Sequence, residues 1–140
     1  MFDDYLQMST PTDWTSFQNL YTEYRILSME LEMIPWNKYN QPTTSALPPI
    51  YSVVDRNNNT PLGSLAQAVA YDSVKSHEPS SRVRRVVKMN SNEEAQWIGV
   101  GTSPATASRM YIKLYTTGAV ANTTLYDFIV RIVVQFRGRQ

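Results

Sequence analysis

Cysteine is missing from the 140-residue chain, and histidine occurs once. Without cysteine there is no disulfide, cysteine-ligated zinc, iron–sulfur cluster or cysteine nucleophile. The one histidine, His77, gives zinc sites and Ser-His-Asp triads no convergent partners. It lies in the polar stretch SVKSHEPSS and is expected to be a solvated loop side chain. Glycine is scarce too, at five residues. GVGTSPA over 99–105 has neither the GxGxxG spacing nor the lysine of a phosphate-binding loop. Charged residues make up only 18% of the chain, against about a quarter in ordinary domains. No apolar run approaches the ~18 residues that span a membrane. The opening MFDDYLQMSTP is acidic, so it does not read as a signal or transit peptide. These absences lead to the expectation of a soluble, non-secreted protein without cofactor, metal centre or catalytic apparatus.

What is present favours strands. Hydrophobic residues reach 42%, and tyrosine occurs nine times. Such a composition suits half-buried strands and does not suit disorder. The length fits one domain over residues 1–140.

The net charge of +1 hides an asymmetry. Asp3, Asp4, Asp13, Glu23, Glu30 and Glu32 face only Arg25 within residues 1–35, whereas cations dominate the rest. Polarised charge of this kind suits head-to-tail association or an anionic partner on one side.

Residues 13–24 read as a short helix. Asp13 can cap it, and Trp14, Phe17, Tyr21 and Tyr24 fall on one stripe. The period then becomes two: Leu27, Met29, Leu31 and Met33 alternate with Ser28, Glu30, Glu32 and Ile34. Pro35 ends that strand, and NKYNQPTTSALPP over 37–49 reads as an exposed loop. IYSVVD over 50–55 is a short strand, and RNNN is turn chemistry. Thr60-Pro61 reads as a helix start that turns Leu62, Leu65, Ala66 and Val69 inward. RVRRVVKM over 82–89, a brief strand over 97–100, MYIKLYT over 110–116 and DFIVRIVVQFR over 127–137 complete the set. Phe128, Val130, Ile132, Val134 and Phe136 share one face of the last strand. An all-β, antiparallel sandwich of jelly-roll type with two short helices in its connections is the fold expected.

Few residues suggest chemistry. Glu30 and Glu32 share a strand face, so a carboxylate pair is geometrically possible. Pairing with Arg131 or Lys113 on neighbouring strands accounts for them better. Asp55, Asn57 and Asn59 alternate like calcium ligands, but no closing Glu follows, and turn formation explains them. The cations are more informative. Arg82, Arg84, Arg85 and Lys88 lie on one strand, with Arg85 pointing opposite to the others. With Arg131, Arg137 and Arg139 they form a candidate set for phosphate contact.

Several segments occur together in a telling order: Tyr24-Arg25-Ile26 leading to Ile34-Pro35, Pro49-Ile50-Tyr51-Ser52-Val53-Val54-Asp55, Leu62-Gly63-Ser64-Leu65, Tyr71 through Lys75, and the Arg82–Arg85 strand. In this order, over about residues 12–137, the chain resembles the capsid proteins of small circular Rep-encoding single-stranded DNA viruses, the circovirus-like group. The resemblance implies a single jelly roll that self-assembles into a small icosahedral shell around single-stranded DNA. It implies a virion protein, assembled in the host cell with the nucleus as a candidate site, with no enzymatic role and no membrane insertion. On the family template an arginine-rich arm and a first strand would precede the aromatic helix. Here only MFDDYLQMSTP stands there, so arm and first strand are expected to be lacking. One outer strand is faintly marked, either between Gly118 and Tyr126 or around Trp97. Trp36, Tyr39, Leu47 and Trp97 are candidate subunit-contact residues, since exposed aromatics favour interfaces. A capsid protein of a small positive-strand RNA virus and a carbohydrate-binding jelly roll using Trp36, Tyr39 and Trp97 are the alternatives. An enzyme using Glu30 and Glu32 is the remote one.

Overall fold

The structure is a computed structural model that describes residues 2–6 (as backbone), 10–36, 48–104, 110–117 and 126–140. Strand β1 (Phe2–Leu6) leads into helix α1 (Trp14–Gln18) and the long strand β2 (Tyr21–Pro35). Strand β3 (Ile50–Asp55), helix α2 (Leu65–Val69) and strand β4 (Lys75–His77) follow. Strands β5 (Val83–Lys88), β6 (Ile98–Gly99), β7 (Tyr111–Thr116) and β8 (Tyr126–Arg139) complete the chain. One antiparallel sheet runs β1-β7-β3-β4. The other is centred on β2, with β8 along one edge and β5 and β6 on the other. Two antiparallel sheets with short connecting helices make the jelly-roll sandwich that the alternating pattern implied.

The core lies between the sheets. Tyr24, Ile26, Met29, Leu31 and Met33 from β2 meet Ile50, Ile112 and Leu114 from the facing sheet. The inward positions of β2 change parity between Ile26 and Met29. The cause is a bulge: β8 pairs Ile26 with Val134 and Ser28 with Val133, which leaves Leu27 unmatched. One extra residue flips every later side chain to the other face. Without the bulge, either Tyr24 and Ile26 or Met29, Leu31 and Met33 would point to solvent. Cutting Leu31 back to alanine would cost about 2–5 kcal/mol.

The first helix is shorter than its stripe suggested. It ends at Gln18, and Tyr21 and Tyr24 belong to β2. Their rings still meet the helix, because Phe136 of β8 stacks on Phe17 and Tyr21 at 4.9 and 5.0 Å. Aromatic packing across strands reproduced a helical spacing. The second helix starts later than expected. Its cap is Ser64, whose Oγ accepts from Gln67 N at 3.2 Å, while Gln67 Oε1 accepts from Gly63 N at 2.6 Å. This is a variant of the capping box. Of the expected inward residues only Leu62, ahead of the helix, is buried; Ala68 takes the inward position within it, and Leu65 and Val69 are exposed.

The opening acidic stretch contributes a strand of its own. Phe2–Leu6 forms β1, paired with β7 from Phe2↔Thr116 to Leu6↔Ile112. The brief strand near Trp97 is found as β6, whereas 118–125, the other place for an outer strand, lies outside the described residues. So do residues 37–47 of the exposed loop. Among the described residues no helix is long and apolar enough to cross a membrane.

Candidate nucleic-acid interface

The outward face of the β2 sheet carries a cross-strand charge ladder. Glu30 and Glu32 point outward from β2, between cationic β5 and cationic β8. Arg84 grips Glu30 with Nε and NH2, both at 2.8 Å. Arg82 Nε donates to Glu32 at 2.6 Å. Arg131 NH1 bridges the two carboxylates from the opposite strand, at 3.1 Å to Glu30 and 2.8 Å to Glu32. Hydrogen bonds from Arg84 hold the Glu30 carboxyl below the usual carboxylate range. Those from Arg131 and then Arg82 do the same for Glu32. A general acid needs a raised pKa, so this pair is arranged as an ion-pair network and not as a catalytic dyad. Of the two partners weighed from sequence, Arg131 makes the contact. Lys113 does not: it lies in the other sheet, paired with Asp55.

The ladder leaves positive charge over. Arg25, Arg82, Arg84, Lys88, Arg131 and Arg137 share the face with Glu23, Glu30, Glu32 and Asp127. Much of the acidic surplus of residues 1–35 is thus neutralised inside one sheet. The guanidiniums of Arg82, Arg84 and Arg131 keep more than half of their side-chain surface in water. Arg139 is exposed at the end of β8. Arg85 is placed differently. It points inward, as the strand parity implied, and is buried, with NH1 on Ser52 Oγ at 3.1 Å and NH2 on the Ser73 carbonyl. It has no path to a surface ligand in this conformation.

At the other end of β2 the same face carries an aromatic. Trp97 precedes β6 and lies under two guanidiniums, with Arg137 Cζ 4.1 Å and Arg25 Cζ 4.8 Å from its ring centroid. Arg137 Nε also donates to Glu23 at 2.6 Å, and Arg25 Nε to Gln135 at 2.8 Å. Sequence reading passed over Arg25. Only the register that sets β6 and β8 on opposite edges of β2 brings it to Trp97 and Arg137.

The remaining candidates separate. Trp36 follows the last residue of β2 and is 61% exposed. Trp97 precedes Ile98, which pairs with Tyr24, so most of the length of β2, roughly 35–40 Å by strand rise, separates the two indoles. They cannot share one sugar platform. Tyr39 and Leu47 lie outside the described residues. A cleft of about 430 Å³ beside α2 is lined by Asn58, Leu62, Gln67, Tyr71 and Lys113, and neither tryptophan lines it. His77 is not a solvated loop residue. It belongs to β4, is half-buried, and its Nε2 lies 2.7 Å from Ser52 Oγ. Ser52 is 0% exposed, so this Ser–His pair is inaccessible to substrate. The Asp55 turn forms as expected: Oδ1 accepts from Asn57 N at 2.8 Å and Asn58 N at 3.1 Å.

No family model and no curated protein sequence matches the chain. Solved structures match the fold. The decameric BFDV capsid protein is 17% identical, with a TM-score of 0.63 over 96% of this chain and 84% of that one. The tobacco necrosis virus structure is 13% identical, with a TM-score of 0.62 over 100% of this chain and 90% of that one. The melon necrotic spot virus structure is 20% identical at a TM-score of 0.58; it covers 90% of this chain, which spans only 37% of that one. At such identities the likeness establishes the fold alone, one that the chain has in common with these structures.

Proposed function

We propose that the chain is a structural subunit of a small viral capsid, assembling with copies of itself into an icosahedral shell that encloses single-stranded DNA. The observation that carries this reading is a sandwich matching capsid folds over nearly its whole length. The outward face of its β2 sheet carries ion pairs and exposed arginines, an arrangement without catalytic geometry. Phosphate contact would come from Arg82, Arg84, Lys88, Arg131, Arg137 and Arg139, with Arg85 bracing the strand that carries the first three. Trp36, with Tyr39 and Leu47 of the following loop, is the proposed subunit contact. The resemblance of the ordered segments to the circovirus-like group supports single-stranded DNA as the cargo. Guanidinium–phosphate contacts do not separate DNA from RNA, so RNA is the second reading of the cargo.

The test is electron microscopy of the purified protein together with its 260/280 nm absorbance ratio. Closed uniform shells support the capsid reading. A high ratio, followed by nuclease treatment specific for DNA or RNA, identifies the cargo. A protein that stays monomeric at all concentrations, with any native upstream residues restored, overturns it.

A further inference from the structure

The geometry points to Trp97, with Arg25 and Arg137, as a stacking seat for an unpaired nucleobase, so that the sheet face reads single-stranded nucleic acid by its bases as well as its phosphates. The inference rests on the capsid reading above and assigns a site within it. Trp97 belongs to neither hydrophobic cluster of the protein. Its indole is half-buried on the outward face, with guanidiniums 4.1 and 4.8 Å from the ring centroid. An aromatic ring left out of the core and flanked by cations has the makings of a single-strand site. Bases stack on indole and on guanidinium planes, and each such contact is largely indifferent to sequence.

The surroundings supply the backbone's needs. Arg131 lies six residues before Arg137 on the outward side of β8, and Arg84 stands across β2 from it. These guanidiniums form a positive track leading away from Trp97 along the sheet. A duplex hides its base faces, so a seat of this kind prefers single strands. Arg25 and Arg137 are themselves held by Gln135 and Glu23, at 2.8 and 2.6 Å. The seat is therefore built before any ligand arrives.

The experiment uses the full chain and fluorescence anisotropy of labelled strands about 20 nucleotides long. The probes are oligo-dT, an abasic strand of equal length and a duplex. For wild type we expect oligo-dT to bind more tightly than either of the others. Trp97→Ala should weaken oligo-dT binding about tenfold, one stacked base's worth, and leave abasic binding and the salt slope unchanged. Trp97→Phe should recover most of the loss, which separates stacking from misfolding. Arg131→Ala should weaken all strands alike and lower the salt slope by about one. Unchanged oligo-dT binding in Trp97→Ala would overturn the seat, as would equal losses on abasic and normal strands. Loss of shell assembly with binding intact would overturn it too and make Trp97 a contact between copies. Shells that form but bind no strand would end the inference and leave the capsid reading standing. Strand binding without shells at any concentration would do the reverse.

Discussion

Lys113 Nζ donates to Asp55 Oδ2 at 2.7 Å, and the two side chains are 1% and 6% exposed. Tyr71 OH donates to the same oxygen at 2.7 Å. The pair lies on the side of the β3–β7 sheet that faces Leu62, Ala68 and Tyr71 rather than the main core. Removing one partner strands the other charge away from water, which typically costs about 3–5 kcal/mol. We therefore expect Asp55→Ala to lower unfolding stability by roughly that amount in urea titrations. Asp55→Ala with Lys113→Met should cost clearly less than Asp55→Ala. If the double variant were no better than the single one, the buried charge would not be the cause.

The same aspartate gives an acid limb to stability. Burial alone would raise its pKa, but hydrogen bonds from Lys113, Tyr71 and the Asn57 amide, with the Lys113 charge, bring it down to about 2. A carboxylate depressed in the folded state binds fewer protons there than in the unfolded chain, whose aspartates titrate near about 3.9. Its contribution is complete above about pH 4 and is lost as the pH falls towards about 2. Glu23, Glu30 and Glu32 are shifted the same way by their arginines. Denaturation midpoints should fall through this window, and the fall should be shallower in Asp55→Asn.

His77 produces a second limb nearer neutrality. Burial, then the Arg85 and Lys75 charges, push its pKa below the ordinary histidine value. The unfolded chain then binds a proton that the native state resists. The neutral form's advantage is complete above about pH 6.5 and declines below it. We expect stability to fall from about pH 7.5 to about 5.5, and His77→Gln to flatten that segment. An equal slope in the variant would assign the effect elsewhere, since His77 is the only histidine.

Gly138 sits at one end of the β2–β8 ladder, packed against Thr22. Its φ is +69°, and an added Cβ would meet Thr22 Oγ1 at 1.9 Å. Gly138→Ala faces the left-handed penalty of about 1–2 kcal/mol and this clash as well. Thr22→Ala removes the oxygen and, at an exposed site, little else. We expect the double variant to be more stable than Gly138→Ala alone in thermal melts. Strict additivity would mean that the two residues do not touch.

How much of this was legible in sequence depends on the range of the interaction. Local alternation gave β3, β5, β7 and β8 nearly as they stand, and β2 only from Leu27 onward. Strand parity turned Arg85 away from Arg82, Arg84 and Lys88, as observed, and cross-strand logic paired Glu30 and Glu32 with Arg131. Misses came where a distant contact overrode a local pattern. Tyr21 and Tyr24 kept a helical spacing because Phe136 packs against both. The parity switch at Leu27 is a property of the β8 register, invisible in β2. Lys113 looked like an outward residue because its strand alternates, but the segment leading to Tyr71 covers that face. Ser64 and Gln67 did carry a readable capping signal, overshadowed by Thr60-Pro61. Arg25 could not be joined to Trp97 without knowing that β6 borders β2.

Trp36 offers the sharpest division between folding and assembly. It is 61% exposed and makes no part of either core cluster, so the folded subunit gains little from it. Substitutions at such sites usually change stability by no more than about 0.5 kcal/mol. A tryptophan buried at a subunit contact, by contrast, commonly costs more than about 2 kcal/mol on truncation. We expect Trp36→Ser to leave the denaturation midpoint in place while raising the protein concentration at which shells appear in light scattering. That concentration should rise at least tenfold, because every subunit in a closed shell loses the contact at once. Unchanged assembly with unchanged stability would remove Trp36 from the interface and leave the following loop to be tested through Tyr39 and Leu47. A large loss of stability would instead mean that Trp36 packs against its own subunit, as a plug beneath the loop it begins.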